Sequence, residues 1–247
     1  MRSLFWPLLA VAAVTSLGCP EKKQGPENGA PDATAAVPPK TGPGSIKGEV
    51  LFNGQVPPNE PLPKAASAAC PQAPAVDEKV LVANGRLRNV AVRISSNAPP
   101  GGAAPAEPAA LELKNCVYRP RVQGAVTGQA LKITNGDATP HKVNAAAGTQ
   151  SLFKEVLAPG APALEKKLEK GGVVKVTCEA HPWEVGYVVV SDSKYITTTG
   201  DTGTFELKDV PPGSYVLEAW HEKFGTRTSA IEVKPGEATN VLFTFSP

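Results

Sequence analysis

Apolar residues at the three- and four-residue spacing of an amphipathic helix are almost missing from this 247-residue chain. That absence argues against a helical or α/β architecture. Hydrolytic signatures are missing too: there is no Gly-x-Ser-x-Gly elbow, no His-Glu-x-x-His and no glycine loop of the kind that cradles phosphate. No catalytic residue and no small organic substrate are indicated, so the chain reads as a protein that is not an enzyme. Charge of one sign is lacking as well. With 25 basic and 23 acidic residues the formal net charge is +2, which implies neither a nucleic-acid partner nor a steering field. The one sustained apolar run, from Leu4 to Leu17, is shorter than the ~20 residues a membrane-spanning helix needs.

That run follows Arg2 and leads through Ser16, Leu17 and Gly18 to Cys19, the layout of a secretory signal. The cysteine directly after Gly18 resembles a bacterial lipobox, although Ser16 stands where leucine is usual and Leu17 comes one place late. Residues 1–18 are therefore expected to be a lipoprotein signal peptide, with Cys19 as the lipidated first residue and the membrane reached through that lipid. The expected location is the periplasm or cell envelope. Residues 19–44 are rich in proline and poor in large apolar side chains, a composition that cannot bury enough surface to fold. They are read as a tether.

Beyond the tether, short apolar or alternating runs bounded by Gly, Pro, Asn or Asp recur at the spacing of β-sandwich strands. They include Ser45 to Phe52, Asn89 to Ile94, Ala130 to Ile133, Val173 to Cys178, Gly186 to Val190, Tyr215 to Trp220 and Asn240 to Phe245. Lys79 to Val82, Leu111 to Leu113, Thr204 to Leu207 and Ser229 to Val233 complete the set. Only Ala163 to Lys170 has a helix-like composition, and Pro159 and Pro162 leave it little room. Its charges, Glu165 to Lys170, suit a solvated face. The expected fold is all-β.

Two segments resemble the carboxypeptidase regulatory-like domain, a small transthyretin-like β-sandwich. They are Gly44-Ser-Ile-Lys-Gly-Glu-Val-Leu-Phe-Asn-Gly54 with Val56-Pro57, and Thr199-Gly-Asp-Thr-Gly-Thr-Phe-Glu-Leu-Lys-Asp-Val-Pro-Pro-Gly-Ser-Tyr215. Nothing in that resemblance carries peptidase chemistry. The stretch between them differs, which suggests a host sandwich of residues 45–110 and 193–247 interrupted by a second β-domain at 111–192. A tandem with 45–192 as the first domain is the alternative.

Apart from Cys19, three of the four cysteines remain, Cys70, Cys116 and Cys178. In an exported protein an odd count leaves one thiol unpaired or assigned to another task. Cys178 lies in Val176-Thr-Cys178-Glu-Ala-His181-Pro-Trp-Glu184, between two strand-like runs. Upstream, Thr127 to Asn135 reads as a strand, and His141 is placed in the loop after it. This combination resembles the cupredoxin family, over about 80 residues: a histidine after an asparagine-bearing strand end, then Cys-x-x-His in the loop joining the last two strands. The expected architecture is thus a Greek-key, cupredoxin-like sandwich inserted in, or followed by, a second small β-sandwich.

The resemblance implies one copper ion held by His141, Cys178 and His181, with Asn135 steadying the ligand loop. A thiolate and two imidazoles suit both Cu(I) and Cu(II). With Cys178 a ligand, Cys70 and Cys116 are expected to form a disulfide. Cupredoxins commonly add a weak methionine, but the single methionine here is Met1. Glu184, three residues after His181, takes that spacing, and a carboxylate there favours the oxidised ion and a low-potential site, green or red rather than blue. Two His, one Cys and one Glu also form a set that zinc accepts. The function implied is one-electron transfer to a redox partner protein. A non-redox adhesion or scaffold lipoprotein binding a glycan or protein, and copper buffering or delivery, are the alternatives. His221 is read as a surface or structurally hydrogen-bonded residue, and Trp183 and Trp220 as core or as lining of an electron-transfer surface.

Overall fold

A computed structural model describes residues 40–62, 70, 73, 74, 76–99 and 102–247. The signal segment, Cys19 and residues 19–39 of the tether lie outside the described residues. Every regular element described is a strand, and no helix there is long and apolar enough to cross a membrane.

The chain opens with β1 (Gly44–Phe52), β2 (Val82–Ala83), β3 (Arg86–Leu87) and β4 (Ala91–Ser96). It continues through β5 (Ala109–Lys114), β6 (Val117–Arg119), β7 (Val122–Val126), β8 (Ala130–Asn135) and β9 (His141–Ala147). Then follow β10 (Gln150–Leu157), β11 (Leu164–Lys167), β12 (Gly172–Cys178) and β13 (Val185–Ser191). The last five are β14 (Ile196–Thr198), β15 (Thr204–Val210), β16 (Gly213–His221), β17 (Gly225–Val233) and β18 (Ala238–Phe245).

These strands form four sheets. One runs β15-β1-β3-β2, with β18 also on β1, and another β14-β4-β16-β17. They enclose a core that includes Ile46, Val50, Val92, Phe205, Leu217 and Phe243. Strands β1 and β18 pair in parallel from Ser45 with Ala238 to Phe52 with Phe245, so the first and last strands share one sheet. The other two sheets run β10-β9-β12-β13-β7 and β11-β8-β5-β6, around Leu111, Leu131, Ile133, Val143, Val176 and Val188. The alternation in β5, with Ala109, Leu111 and Leu113 buried and Ala110, Glu112 and Lys114 exposed, is the period of two that places one strand face inward. A small third cluster of Ala91, Val122 and Val189, flanked by Tyr187, Ile196 and Trp220, joins the two cores.

The chain leaves the first pair of sheets after β4 and returns to them at β14, which pairs with β4. Ile94 N–H donates to Tyr195 O at 3.0 Å, so departure and return lie side by side. Two sequence expectations are corrected. His141 is the first residue of β9 rather than a loop residue. Of Lys79 to Val82, only Val82 is in a strand. Residues 164–167, whose charges suited a solvated face, form a strand on β8 with an intermediate-exposed alternation suited to a sheet edge.

Candidate metal centre

The site forms at one end of the β9-β12-β13 sheet. Cys178 ends β12 opposite Val143, two residues along β9 from His141. The β12–β13 loop then carries His181 and Glu184, and is closed by Glu184 N–H donating to His181 O at 2.9 Å. Asn135, at the end of β8, holds the approach to His141. Its Nδ2 donates to Thr139 O (2.9 Å) and Leu157 O (3.0 Å), while its Oδ1 accepts Asp137 N–H at 2.8 Å.

Ligand-type atoms of His141, Cys178, His181 and Glu184 all lie within 4.8 Å of one another. All four residues are buried, His141 and Glu184 completely. Both imidazoles present Nδ1 to the centre: His141 Nδ1 is 2.8 Å from Glu184 Oε2, and His181 Nδ1 is 3.7 Å from Cys178 Sγ. Zinc-type bonds of about 2.3 Å to sulfur and 2.0–2.1 Å to nitrogen at a tetrahedral angle would place such a pair about 3.6 Å apart. The observed spacing fits a shared ion. Glu184 Oε1 is 2.7 Å from His181 Nδ1, yet the contact lacks hydrogen-bond alignment and the oxygen has no other partner. A buried carboxylate oxygen without a donor is costly, and a cation at this centre would satisfy it. The residues therefore fit a single metal ion.

Electrostatics support the same reading. Burial opposes charge on His141, but its hydrogen bonds to Cys178 and Glu184 outweigh burial and raise its pKa to about 10. In the metal-free protein a proton on that ring balances the acidic ligands, and an incoming cation displaces it.

Asp137 also borders the candidate site, and the sequence reading missed it. Its Oδ2 lies 3.2 Å from His141 Nε2, the nitrogen facing away from the centre. That contact also lacks hydrogen-bond alignment, and is electrostatic. The same carboxylate accepts N–H from Asn115 (2.7 Å) and Cys116 (2.9 Å). At 3.2 Å from Nε2 the carboxylate lies on the outer side of the His141 ring, opposite the candidate centre. The position of Asp137, four residues before His141, was the available signal.

Cys70 and Cys116 form a disulfide, with Cα atoms 5.8 Å apart, and among the described cysteines Cys178 is free and buried. Trp183 is half-buried with its ring centroid 5.1 Å from that of His181, and its Nε1–H donates to Cys116 O at 3.1 Å. Trp220, also half-buried, packs on Tyr187. His221 is fully buried, which removes the surface alternative. Its Nδ1 accepts Lys223 N–H at 3.1 Å, and its ring stacks on Phe224.

Residues 172–246 match the family model described as the carboxypeptidase regulatory-like domain. The match begins in β12, inside the segment 111–192. No curated protein matches the chain. Similar solved structures include a novel purple cupredoxin from Nitrosopumilus maritimus, at 27% identity over 34% of this chain and 99% of that chain, with a TM-score of 0.30. Amicyanin from Paracoccus versutus is 20% identical over 40% of this chain and 97% of its own, with a TM-score of 0.31. The oxidised plastocyanin of Dryopteris crassirhizoma is 20% identical over 34% of this chain and all of its own, at a TM-score of 0.30. Both resemblances read from the sequence recur among these comparisons.

Proposed function

We propose that this protein is a copper-binding one-electron carrier whose ion is held by His141, Cys178, His181 and Glu184. The observation that carries the reading is the convergence of two Nδ1 atoms, one free thiol and one buried carboxylate within 4.8 Å. Copper bound there would supply a Cu(I)/Cu(II) couple. A soft sulfur with borderline nitrogens suits both oxidation states, and the carboxylate favours the oxidised one. The four side chains come from β9, β12 and one short loop, so their positions are set by the sheet before any ion arrives. Four protein ligands leave no open position for a substrate, which supports a carrier rather than an enzyme.

In the same reading, residues 45–110 with 193–247 form the host sandwich and 111–192 the metal-binding insertion. Lipid at Cys19 and the tether of residues 19–44 would hold both at the cell envelope, where a redox protein exchanges the electron.

The test is Cu(II) titration of the protein lacking residues 1–19, followed by visible absorption. The expected result is one equivalent bound, with an intense thiolate-to-copper band that Cys178→Ala abolishes and His141→Ala shifts or weakens. No such band in the unsubstituted protein overturns the reading, and indifference to loss of Cys178 favours a scaffold role.

A further inference from the structure

The Cys70–Cys116 disulfide is set against the metal centre itself. Cys70 Sγ lies 3.7 Å from His181 Nε2, the nitrogen that faces away from Cys178. That is the same spacing as Cys178 Sγ to His181 Nδ1, and close to the about 3.6 Å that a shared tetrahedral ion requires. Ligand-type atoms of Cys70, Cys116, His181 and Glu184 also lie within 4.8 Å of one another. His181 and Glu184 therefore belong to two overlapping donor sets, one of which is closed only because its two sulfurs are bonded to each other.

The local backbone marks Cys116 as placed for its sulfur. Asn115 and Cys116 are the two turn residues between β5 and β6, with φ of 55° and 53°. A two-residue hairpin turn with both φ positive strongly favours Asn-Gly. A cysteine in the second position carries a left-handed backbone that residues with a Cβ seldom adopt. The turn is held from outside the hairpin by the Asp137 carboxylate on both of its N–H groups, and by Trp183 Nε1–H on Cys116 O. These anchors do not involve the disulfide, so they hold Cys116 in place whether or not the bond is intact. Cys70 belongs to no strand, so opening the bond breaks no sheet hydrogen bond.

We propose that reduction of the Cys70–Cys116 disulfide creates a second metal site, formed by the two thiolates and His181 Nε2 with Glu184 alongside, for a soft or borderline ion such as Cu(I) or Zn(II). An external dithiol supplies two electrons and two protons. Its sulfurs form a disulfide, the Cys70–Cys116 bond breaks, and each cysteine takes one proton. The metal ion then displaces both thiol protons. When the first site is also filled, the ring proton of His181 leaves as well and the imidazolate bridges the two ions. Two thiolates on one tetrahedral ion stand about 3.8 Å apart, farther than any bonded pair of sulfurs, so the disulfide must open before both can hold the ion. The protein would then hold one ion under oxidising conditions and two under reducing ones.

This inference shares His181 and Glu184 with the copper reading, but its test does not depend on the copper chemistry. The protein, oxidised or reduced with dithiothreitol and freed of reductant without air, is incubated with Zn(II), desalted, and its zinc per chain counted. Reduction is expected to raise zinc by one equivalent in the unsubstituted protein, and likewise in Cys178→Ser, which lacks the thiolate of the first site. The gain should vanish in the Cys70→Ser/Cys116→Ser double variant. No gain on reduction in the unsubstituted protein, or a gain that survives the double variant, overturns the inference. Failure of the copper reading looks different: it is the lack of a thiolate-to-copper band in oxidised protein, whatever the zinc count. Because the decisive comparison uses unsubstituted protein in two redox states, a variant that fails to fold does not blunt it.

Discussion

At the scale of single residues, two buried histidines outside ordinary solvent chemistry behave oppositely. His141 is drawn toward its charged form by the sulfur and carboxylate beside it. His221 is driven to the neutral form, its pKa lowered to about 4 by burial and by the nearby cations Arg121 and Lys223. In the unfolded chain an ordinary histidine titrates near 6.5. Between those values the unfolded state binds a proton that the folded state refuses, so acidification from pH 6.5 to 4 removes stability. The shift corresponds to roughly 3 kcal/mol. Denaturant unfolding at pH 7 and pH 4 is expected to show that part of the acid loss disappearing in His221→Phe. Taking the difference between the two pH values cancels the packing change. Glu184 is the other decisive residue. Glu184→Met replaces a carboxylate oxygen by a weak thioether, so the reduction potential is expected to rise and the visible spectrum to move toward that of a blue site. An unchanged potential and spectrum would remove Glu184 from the ligand set.

Among the elements, the β12–β13 loop carries most of the chemistry, and its exit depends on one glycine. Gly186, the second residue of β13, faces Tyr118: a Cβ there would come within 2.9 Å of the Tyr118 Cβ and 3.0 Å of its ring. Tyr118 is fully buried and its hydroxyl donates to Thr177 O at 3.4 Å, beside Cys178. Gly186→Ala is therefore expected to cost about 1–3 kcal/mol by overpacking and to weaken metal retention, measurable as a lower Tm with and without copper. The grouping of Cys178, His181 and Glu184 was legible in the sequence because they are close in the chain. Strands β9 and β10 were not. Ala145, Ala146 and Ala147 carry little β signal, and β10 exposes Lys154, Glu155 and Val156, hiding the inward alternation. The start of β9 at His141 was masked by Pro140, which reads locally as loop. Asp137 went unnoticed because its partners, Asn115 and Cys116, are more than twenty residues away.

For the described residues as one compact unit, the contact between the two pairs of sheets is only partly apolar. Ala91, Val122 and Val189 supply its dry centre, and an ion cluster also crosses it. Arg121, between β6 and β7, is 6% exposed at its side chain and grips Glu222, just beyond β16, through Nε and through Nη2, the latter at 2.9 Å. Its Nη1 is 3.1 Å from Asp77 Oδ1. Three separate parts of the chain thus meet on one guanidinium. This ion cluster could not be read from the sequence, since its members lie 44 and 101 positions apart. Glu222 is 2% exposed at its side chain, and a buried pair that loses one partner leaves an uncompensated charge, typically costing 3–5 kcal/mol. Glu222→Gln keeps the shape and removes the charge. It is expected to lower stability by about that much, less whatever Asp77 recovers by holding the guanidinium alone. The copper band should persist at low temperature, because the described hydrogen bonds and ion pairs of Glu222 go to Arg121 and not to His141, Cys178, His181 or Glu184. A two-step thermal unfolding in place of one transition would show that this ion cluster is what makes the two cores melt together; an unchanged Tm would show that the Ala91–Val122–Val189 contact suffices.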